Sequence, residues 1–251
     1  GIQADLKTFA ALGVFGTTAI TAITAQNTLG VDAVQEVDLG VISSQIDAVI
    51  SDIGVDAAKT GMLSSVGIIE TVAERVSHHR IELLVVDPVM VATSGARLLR
   101  EDAITALITR LLPLGLVVTP NLAEAGALVN RPLSTVDHVR DAAREICGMG
   151  PRNVIIKGGH LTGDEATDVL FDGQSFHEYS ADRIDTRNTH GTGCTFSSAI
   201  AAGLARGMSV PDSVGLAKGF VTEAIRRAYP VGRGSGPLHH LYALDDLDND
   251  F

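Results

Sequence analysis

The chain has 251 residues, 45% of them hydrophobic and 20% charged, and a formal net charge of −11. That length and apolar content suit one α/β unit with a sizeable core. The acidic balance argues against nucleic acid or an anionic membrane as partner, since both reward clustered Lys and Arg, and no apolar run approaches the roughly 20 residues of a membrane span.

In chain order, buried-type strand runs alternate with amphipathic helical stretches, which is the pattern of a mostly parallel sheet covered on both faces. A helix is predicted over 5–12, then a strand over 17–23 leading to Gln26-Asn27-Thr28. A helix over 39–51 precedes a strand over 56–60 that runs into Gly61-Met62. Next come a helix over 65–78, a strand over 83–86 that meets Asp87-Pro88-Val89-Met90, a turn at Ser94-Gly95 and a helix over 101–112. The strand over 116–119 leads to Pro120-Asn121 and a helix over 121–128 that carries Glu124 one turn on. A helix over 136–148 is followed by a strand over 153–156 and by Lys157-Gly158-Gly159-His160. Segments 169–171 and 175–179 around Asp172-Gly173 read as a hairpin with a two- to three-residue turn. Phe196, Ile200, Leu204 and Met208 mark an apolar-periodic helix. Ser209-Val210-Pro211-Asp212 then caps a second one through Val214, Ala217, Val221 and Ile225. With no repeat or long linker, a single domain over 1–244 and an acidic tail over 245–251 are expected. The opening residues carry neither an initiator Met nor a signal pattern and read as an incomplete N-terminus.

In parallel α/β sheets ligands bind past the carboxyl ends of the strands. Here those ends collect amide, acid, lysine and glycine groups. Asp87, Asn121 and Glu124 are oxygen-bearing groups suited to Mg²⁺, which keeps most of its waters and takes one or two carboxylates plus substrate phosphates. Asn121 and Glu124, three residues apart, fit a helix capping box equally well. Lys157 suits a point charge on a phosphate chain, or a solvated strand-end lysine. Asn188-Thr189-His190-Gly191-Thr192-Gly193-Cys194-Thr195 opens a helix whose free N–H groups and dipole make an anion site. Gly191 and Gly193 permit close backbone approach there. Cys194 stands at its lip, where a helix N-terminus lowers a thiol pKa. This points to phosphoryl or acyl transfer; a Gly-rich turn with a small buried cysteine is the alternative. Met62 and Val89 either wall a flat ring or pack the core. His160, His190, His239 and His240 lack metal-ligand spacing and are assigned hydrogen-bonding or surface roles. Cys147 reads as a small buried residue, and two cysteines make no disulfide framework, which favours a reducing compartment. The chain has neither a GxxxxGK[ST] loop nor a GxGxxG fingerprint, which excludes a Walker-type site and counts against a NAD enzyme.

Several motifs recur together and in order: Gly1-Ile2-Gln3-Ala4-Asp5-Leu6-Lys7-Thr8-Phe9, Thr21-Ala22-Ile23-Thr24-Ala25-Gln26-Asn27-Thr28, Lys59-Thr60-Gly61-Met62-Leu63, Val86-Asp87-Pro88-Val89-Met90, Thr119-Pro120-Asn121-Leu122-Ala123-Glu124-Ala125, the Lys157 turn and the Cys194 run. With them the chain closely resembles bacterial hydroxymethylpyrimidine/phosphomethylpyrimidine kinases, ribokinase-like enzymes of thiamine biosynthesis. The match extends from Gly1 to about Leu241 and includes Gly236-Pro237-Leu238-His239-His240. The resemblance implies a three-layer α/β/α fold with a mostly parallel central sheet. It also implies a cytoplasmic homodimer that uses ATP and Mg²⁺ in two successive phosphorylations. The first substrate would be 4-amino-5-hydroxymethyl-2-methylpyrimidine and the second its monophosphate.

By motif position, Asp5, Gln26, Met62 and Val89 resemble the pyrimidine contacts. Asp87, Asn121, Lys157 and Thr189 resemble the nucleotide and phosphate contacts, with Asp87 and Glu124 at the metal. Gly191 and Gly193 resemble an anion hole, and Cys194 the group that takes the hydroxymethyl proton. Most ribokinase-like sugar kinases carry an Asp where this chain has Cys194. The family also begins with a β-strand and a small-residue run ahead of Gly1, so a stretch missing from this sequence is expected. Three rivals stand beside this reading. A pyridoxal kinase acts on a similar flat ring, but the Gln26 carboxamide, which can accept from an amino group and donate to a ring nitrogen, favours the pyrimidine. The others are a non-catalytic pyrimidine-binding relative and a cysteine acyl transferase, the latter without a GxSxG-like elbow.

Overall fold

The computed structural model describes residues 1–90, 101–158 and 165–247. Ser94, Gly95, Gly159, His160 and the end of the acidic tail lie outside the described residues. Helix α1 (Ile2–Ala11) is followed by β1 (Ala22–Gln26) and β2 (Val31–Glu36), an antiparallel pair that forms a small sheet of its own. Then come α2 (Leu39–Asp52), β3 (Ala58–Thr60), α3 (Val66–His78), β4 (Leu84–Val86), α4 (Glu101–Ala106), β5 (Val117–Val118), α5 (Leu122–Leu128) and α6 (Val136–Cys147). The rest is β6 (Asn153–Ile156), β7 (Glu165–Phe171), β8 (Phe176–Asp182), α7 (Thr192–Ala205), α8 (Val210–Arg226) and α9 (Tyr242–Leu247). The six strands β3 to β8 form one sheet in chain order, parallel from β3 to β6 and antiparallel for the last two.

Strands β4, β5 and β6 are apolar on both faces because both faces are covered. Their alternation divides the core. Val86, Val118, Val154 and Ile156 pack with Ile68, Ile69 and Val72 of α3 and Ala142 and Ile146 of α6. Val85, Val117 and Ile155 pack with Phe196 and Ile200 of α7 and Val214 and Ala217 of α8. The result is three layers, as expected. The same period of two sets the site. Lys59 is in register with Val85, while Asp87 and Lys157 follow Val85 and Ile155 by two residues, so all three leave the sheet on the α7 side.

The structure corrects four local expectations. The predicted strand over 17–23 begins at Ala22 and pairs with β2, which the periodicity did not reveal, not with the main sheet. Upstream of it, the Gln45 carboxamide accepts from the Ile20 N–H and donates to the Ile20 carbonyl, both at 2.9 Å, and so replaces a strand partner. The helix over 101–112 becomes a π-turn at Leu107–Leu111 and a 3₁₀ turn at Leu112–Leu114, where Pro113 lacks the donor an α-helix needs. Helix α7 stops before Met208, because Gly207 turns left-handed (φ +79°) and Met208 N–H bonds back to the Gly203 carbonyl at 3.0 Å. The hairpin turn is four residues, Asp172 to Ser175, with the Asp172 carboxylate accepting from the Gln174 and Ser175 N–H groups.

Candidate active site

Strand register aligns the functional ends. Thr60 pairs with Val86 and Val86 with Val118, so Gly61, Asp87 and Thr119 emerge side by side, and Asn121 bridges to Lys157. Asp87 is 3% exposed and receives Lys157 Nζ at 3.1 Å and Thr119 Oγ1 at 3.1 Å on Oδ1, with Ser197 of α7 at 3.4 Å from Oδ2. Burial disfavours the charge on both partners, and the pairing overrules it. The Asp87 carboxyl is held below the usual carboxylate range by Lys157 and Lys59, and Lys157 above the usual ammonium range by Asp87 and Glu124.

Asn121 and Glu124 form the capping box: Asn121 Oδ1 accepts from Glu124 N–H at 2.9 Å, and Glu124 Oε2 accepts from Asn121 N–H at 2.8 Å. Burial pushes the Glu124 carboxyl up, with Lys157 opposing and Asp87 adding to the rise. Capping occupies the single side-chain oxygen of Asn121 and Oε2 of Glu124, which leaves the Asn121 amide N–H groups as donors suited to phosphate. The oxygens of Asp87 and Glu124, buried beside Lys157, suit Mg²⁺ shared with a phosphate chain.

Gly191 caps helix α7 and is left-handed (φ +87°), a conformation that a Cβ would strain. Gly193 faces the ion pair so closely that a Cβ there would stand 3.3 Å from Lys157 Nζ and 3.7 Å from Asp87 Oδ2. The first turn of α7 is thereby set directly over a lysine–carboxylate pair. The carbonyl of Thr189 accepts from Thr192 Oγ1 at 2.6 Å and shapes the approach to that turn. Cys194 follows, a free and partly buried thiol. Its Sγ lies 3.4 Å from the nitrogen of Gly1, so the N-terminal ends of α1 and α7 meet there.

Four residues further on the two helices meet again. Asp5 of α1 accepts from Ser198 of α7 at 2.7 Å, and the same oxygen accepts from Lys59 Nζ at 3.0 Å. Lys59 lies in the Lys59–Leu63 motif, whose pattern alone assigns it no role. The available signal was a lone lysine in a strand inserted between helices, and its side chain is 3% exposed. Ser197, Ser198 and Thr119 were missed as well, since small hydroxyl residues in apolar runs read as packing.

Gln26 is exposed at the end of β1 and lines a cleft of about 190 Å³ with Thr28, His190 and Ser235. Burial lowers the His190 pKa. Met62 and Val89 stand half-buried past the adjacent strands β3 and β4, at the same end of the sheet. Asp5, Asp87, Asn121, Glu124, Lys157, Gly191, Gly193 and Cys194 thus fall into two linked groups around the start of α7, while Gln26 faces a neighbouring cleft. His240 is buried and hydrogen-bonded to Thr195 Oγ1 at 2.8 Å, and His239 meets Asp245 at 2.7 Å, so both take the expected hydrogen-bonding roles.

A lysine–carboxylate pair under a glycine-rich helix N-terminus, at the carboxyl edge of a parallel sheet, is suited to an anionic group, and the three-layer fold that holds it is that of ribokinase-like kinases. The description of the phosphomethylpyrimidine kinase family matches residues 1–239, and the chain belongs to that family. It is 52% identical over 245 residues to the hydroxymethylpyrimidine/phosphomethylpyrimidine kinase of Rhizobium meliloti, covering 96% of this chain and 92% of that protein. It is 48% identical over 247 residues to the thiamine biosynthesis bifunctional protein ThiED of Geobacter sulfurreducens, covering 98% of this chain but spanning 50% of that longer protein. Among solved structures, an ADP complex of Bacillus subtilis pyridoxal kinase superposes with a TM-score of 0.89 at 41% identity, over 96% of this chain and 91% of that one.

Proposed function

We propose that the chain is an ATP- and Mg²⁺-dependent kinase that phosphorylates 4-amino-5-hydroxymethyl-2-methylpyrimidine and then its monophosphate, for thiamine biosynthesis. The observation that carries this reading is Cys194 at the start of α7, beside the Asp87–Lys157 pair at 3.1 Å. Asp5, Gln26, Met62 and Val89 hold the ring, and Asn121, Thr189 and Lys157 hold the phosphate chain. Asp87, with Glu124, would hold Mg²⁺, which when bound neutralises phosphate charge. In the first reaction the hydroxymethyl oxygen bonds to the γ-phosphorus as the bond to ADP breaks. Its proton passes to the Cys194 sulfur and from there to solvent. The Gly191–Gly193 turn points its N–H groups at the transferring phosphoryl.

The second reaction makes a different demand. Its nucleophile is a phosphate oxygen already ionised at neutral pH, so little proton transfer is left for Cys194. Cys194→Ser should therefore lower turnover of the alcohol by roughly 100-fold or more, in the range of general-base catalysis, and turnover of the monophosphate by less. Equal losses, or none, would sink the base role.

The family match over 1–239 supports one kinase domain over 1–244. Exposed Ile23 and Val34 on the β1–β2 hairpin support a homodimer, and two free thiols support a cytoplasmic setting. No helix among the described residues is long and apolar enough to cross a membrane. A second reading, pyridoxal kinase, is favoured by the likeness to the Bacillus subtilis structure. Coupled ADP release with hydroxymethylpyrimidine, its monophosphate and pyridoxal separates them. Turnover of both pyrimidines above pyridoxal is expected, pyridoxal turnover alone would move the enzyme to the second reading, and no turnover at all would favour a non-catalytic binding protein.

A further inference from the structure

Lys157 takes its direction from the point at which β6 leaves the sheet, and a side chain of β7 marks that point. The antiparallel ladder pairs Val154 with Phe171, Ile155 with Leu170 and Ile156 with Val169, and there it stops. β7 itself runs back to Glu165, paired with β8 throughout. The same register would bring Lys157 opposite Asp168. The next N–H of the departing chain, that of buried Gly158, goes to the Asp168 side chain, whose Oδ1 accepts it at 2.9 Å. On the β5 side, the Lys157 N–H donates to the Pro120 carbonyl at 2.9 Å. Two consecutive amides are therefore fixed where Lys157 turns towards Asp87, one of them by a carboxylate.

Asp168 stands two residues from Leu170 and so faces α7 and α8, the same side of the sheet as Lys157. It is 6% exposed, and a carboxylate so deeply buried needs a charged partner. Lys218 of α8 supplies it, donating to Asp168 Oδ2 at 2.9 Å and to the Ala166 carbonyl at 2.6 Å. One carboxylate oxygen thus serves the cation and the other serves the turn. Docking of α8 on the sheet does not depend on this pair alone. Tyr179, opposite Asp168 on β8, donates its hydroxyl to the Pro211 carbonyl of α8 at 3.0 Å.

We propose that Asp168 is a positioning residue for phosphate binding by Lys157. Its carboxylate, neutralised by Lys218, fixes Gly158 and with it the direction in which Lys157 leaves β6. The inference rests on Lys157 as a phosphate-binding group, but its first readout needs no ligand, so the two can fail separately.

A matched pair of variants on a Lys218→Met background makes the test. With the lysine gone, Asp168→Asn keeps an oxygen for Gly158, whereas Asp168→Leu has nearly the same shape and keeps none. Replacing a buried ion pair by uncharged groups of similar volume is often neutral or stabilising, so both proteins should fold. In ligand-free protein, amide hydrogen exchange at Gly158 and Lys157 should be about tenfold or more faster with Asp168→Leu than with Asp168→Asn, the scale of a buried donor left unsatisfied. The kcat/KM for ATP should be lower with Asp168→Leu by up to roughly 100-fold, the scale of a group misplaced by about 1 Å. Affinity for hydroxymethylpyrimidine should be the same in both. Exchange rates that do not distinguish the two proteins would overturn the proposal. So would distinct rates with equal kcat/KM for ATP in an active enzyme, or a pyrimidine affinity that falls along with ATP, since the carboxylate would then support the fold at large. Distinct rates in a protein that phosphorylates none of the three candidate substrates would support this inference and refute the kinase reading.

Discussion

His240 lies directly behind the anion cradle, bonded to the hydroxyl of Thr195, which follows Cys194. Burial, followed by the charge of Lys7, holds its pKa at about 4, against an ordinary 6.5. The folded chain therefore binds fewer protons at this site than the unfolded chain between those values. Its contribution to stability is present above pH 6.5 and is lost as the pH falls towards 4. A neutral imidazole is what the contact needs, because a charged one would be buried without a counter-ion at hand. His240→Gln keeps a hydrogen-bonding group for Thr195 but does not titrate. The melting temperature of the parent should fall more steeply than that of the variant between pH 6.5 and 4.5, and since His190 is present in both, the difference isolates His240. Parallel slopes would show that His240 does not carry the acid sensitivity.

At the scale of elements, α7 is the helix on which the site depends, and its position is set by α8. The two pack so closely at Gly203 that a Cβ there would lie 2.9 Å from Ser213 Cβ and 3.1 Å from Ser213 Cα. Gly203→Ala must push the helices apart. The expected cost is about 1–3 kcal/mol, the usual penalty of overpacking, read as a fall in the denaturation midpoint. Ser213→Gly in the same chain should recover part of it, whereas additive losses would place the strain elsewhere. Small residues Ala199, Ala202 and Gly203 flank the apolar row of α7 and allow close packing, but which helix packs there is set by the tertiary fold. The parallel strands, the caps at Ser209 and Asn121 and most helices were legible, because each rests on local periodicity or capping chemistry. The two-stranded sheet was not. β1 and β2 are mostly exposed, so no buried face imprints an alternating pattern on them. The burial of the Lys59 side chain was equally hidden, since it depends on Asp5, a partner that comes from α1.

At the scale of the whole molecule, the site draws Asp5, Lys59, Asp87, Asn121, Lys157 and Cys194 from segments spread over most of the chain, and the parallel register of β3 to β6 brings their ends to one edge. The motifs were readable one by one; their convergence needed the sheet. A ligand that joins these ends holds both core layers to the sheet at once, so binding should stabilise the global fold rather than one loop. Nucleotide at about 100 times its dissociation constant adds roughly 2.7 kcal/mol. For a domain of this size that raises the melting temperature by roughly 5–11 °C. Asp87→Asn removes the carboxylate proposed for Mg²⁺ while keeping its shape. Measured against its own ligand-free melting temperature, it should lose most of the shift given by ATP with Mg²⁺ and keep the shift given by hydroxymethylpyrimidine. A full nucleotide shift in that variant would remove Asp87 from the metal and phosphate set. Loss of both shifts would instead mean that the Asp87–Lys157 pair shapes the whole edge of the sheet, pyrimidine side included.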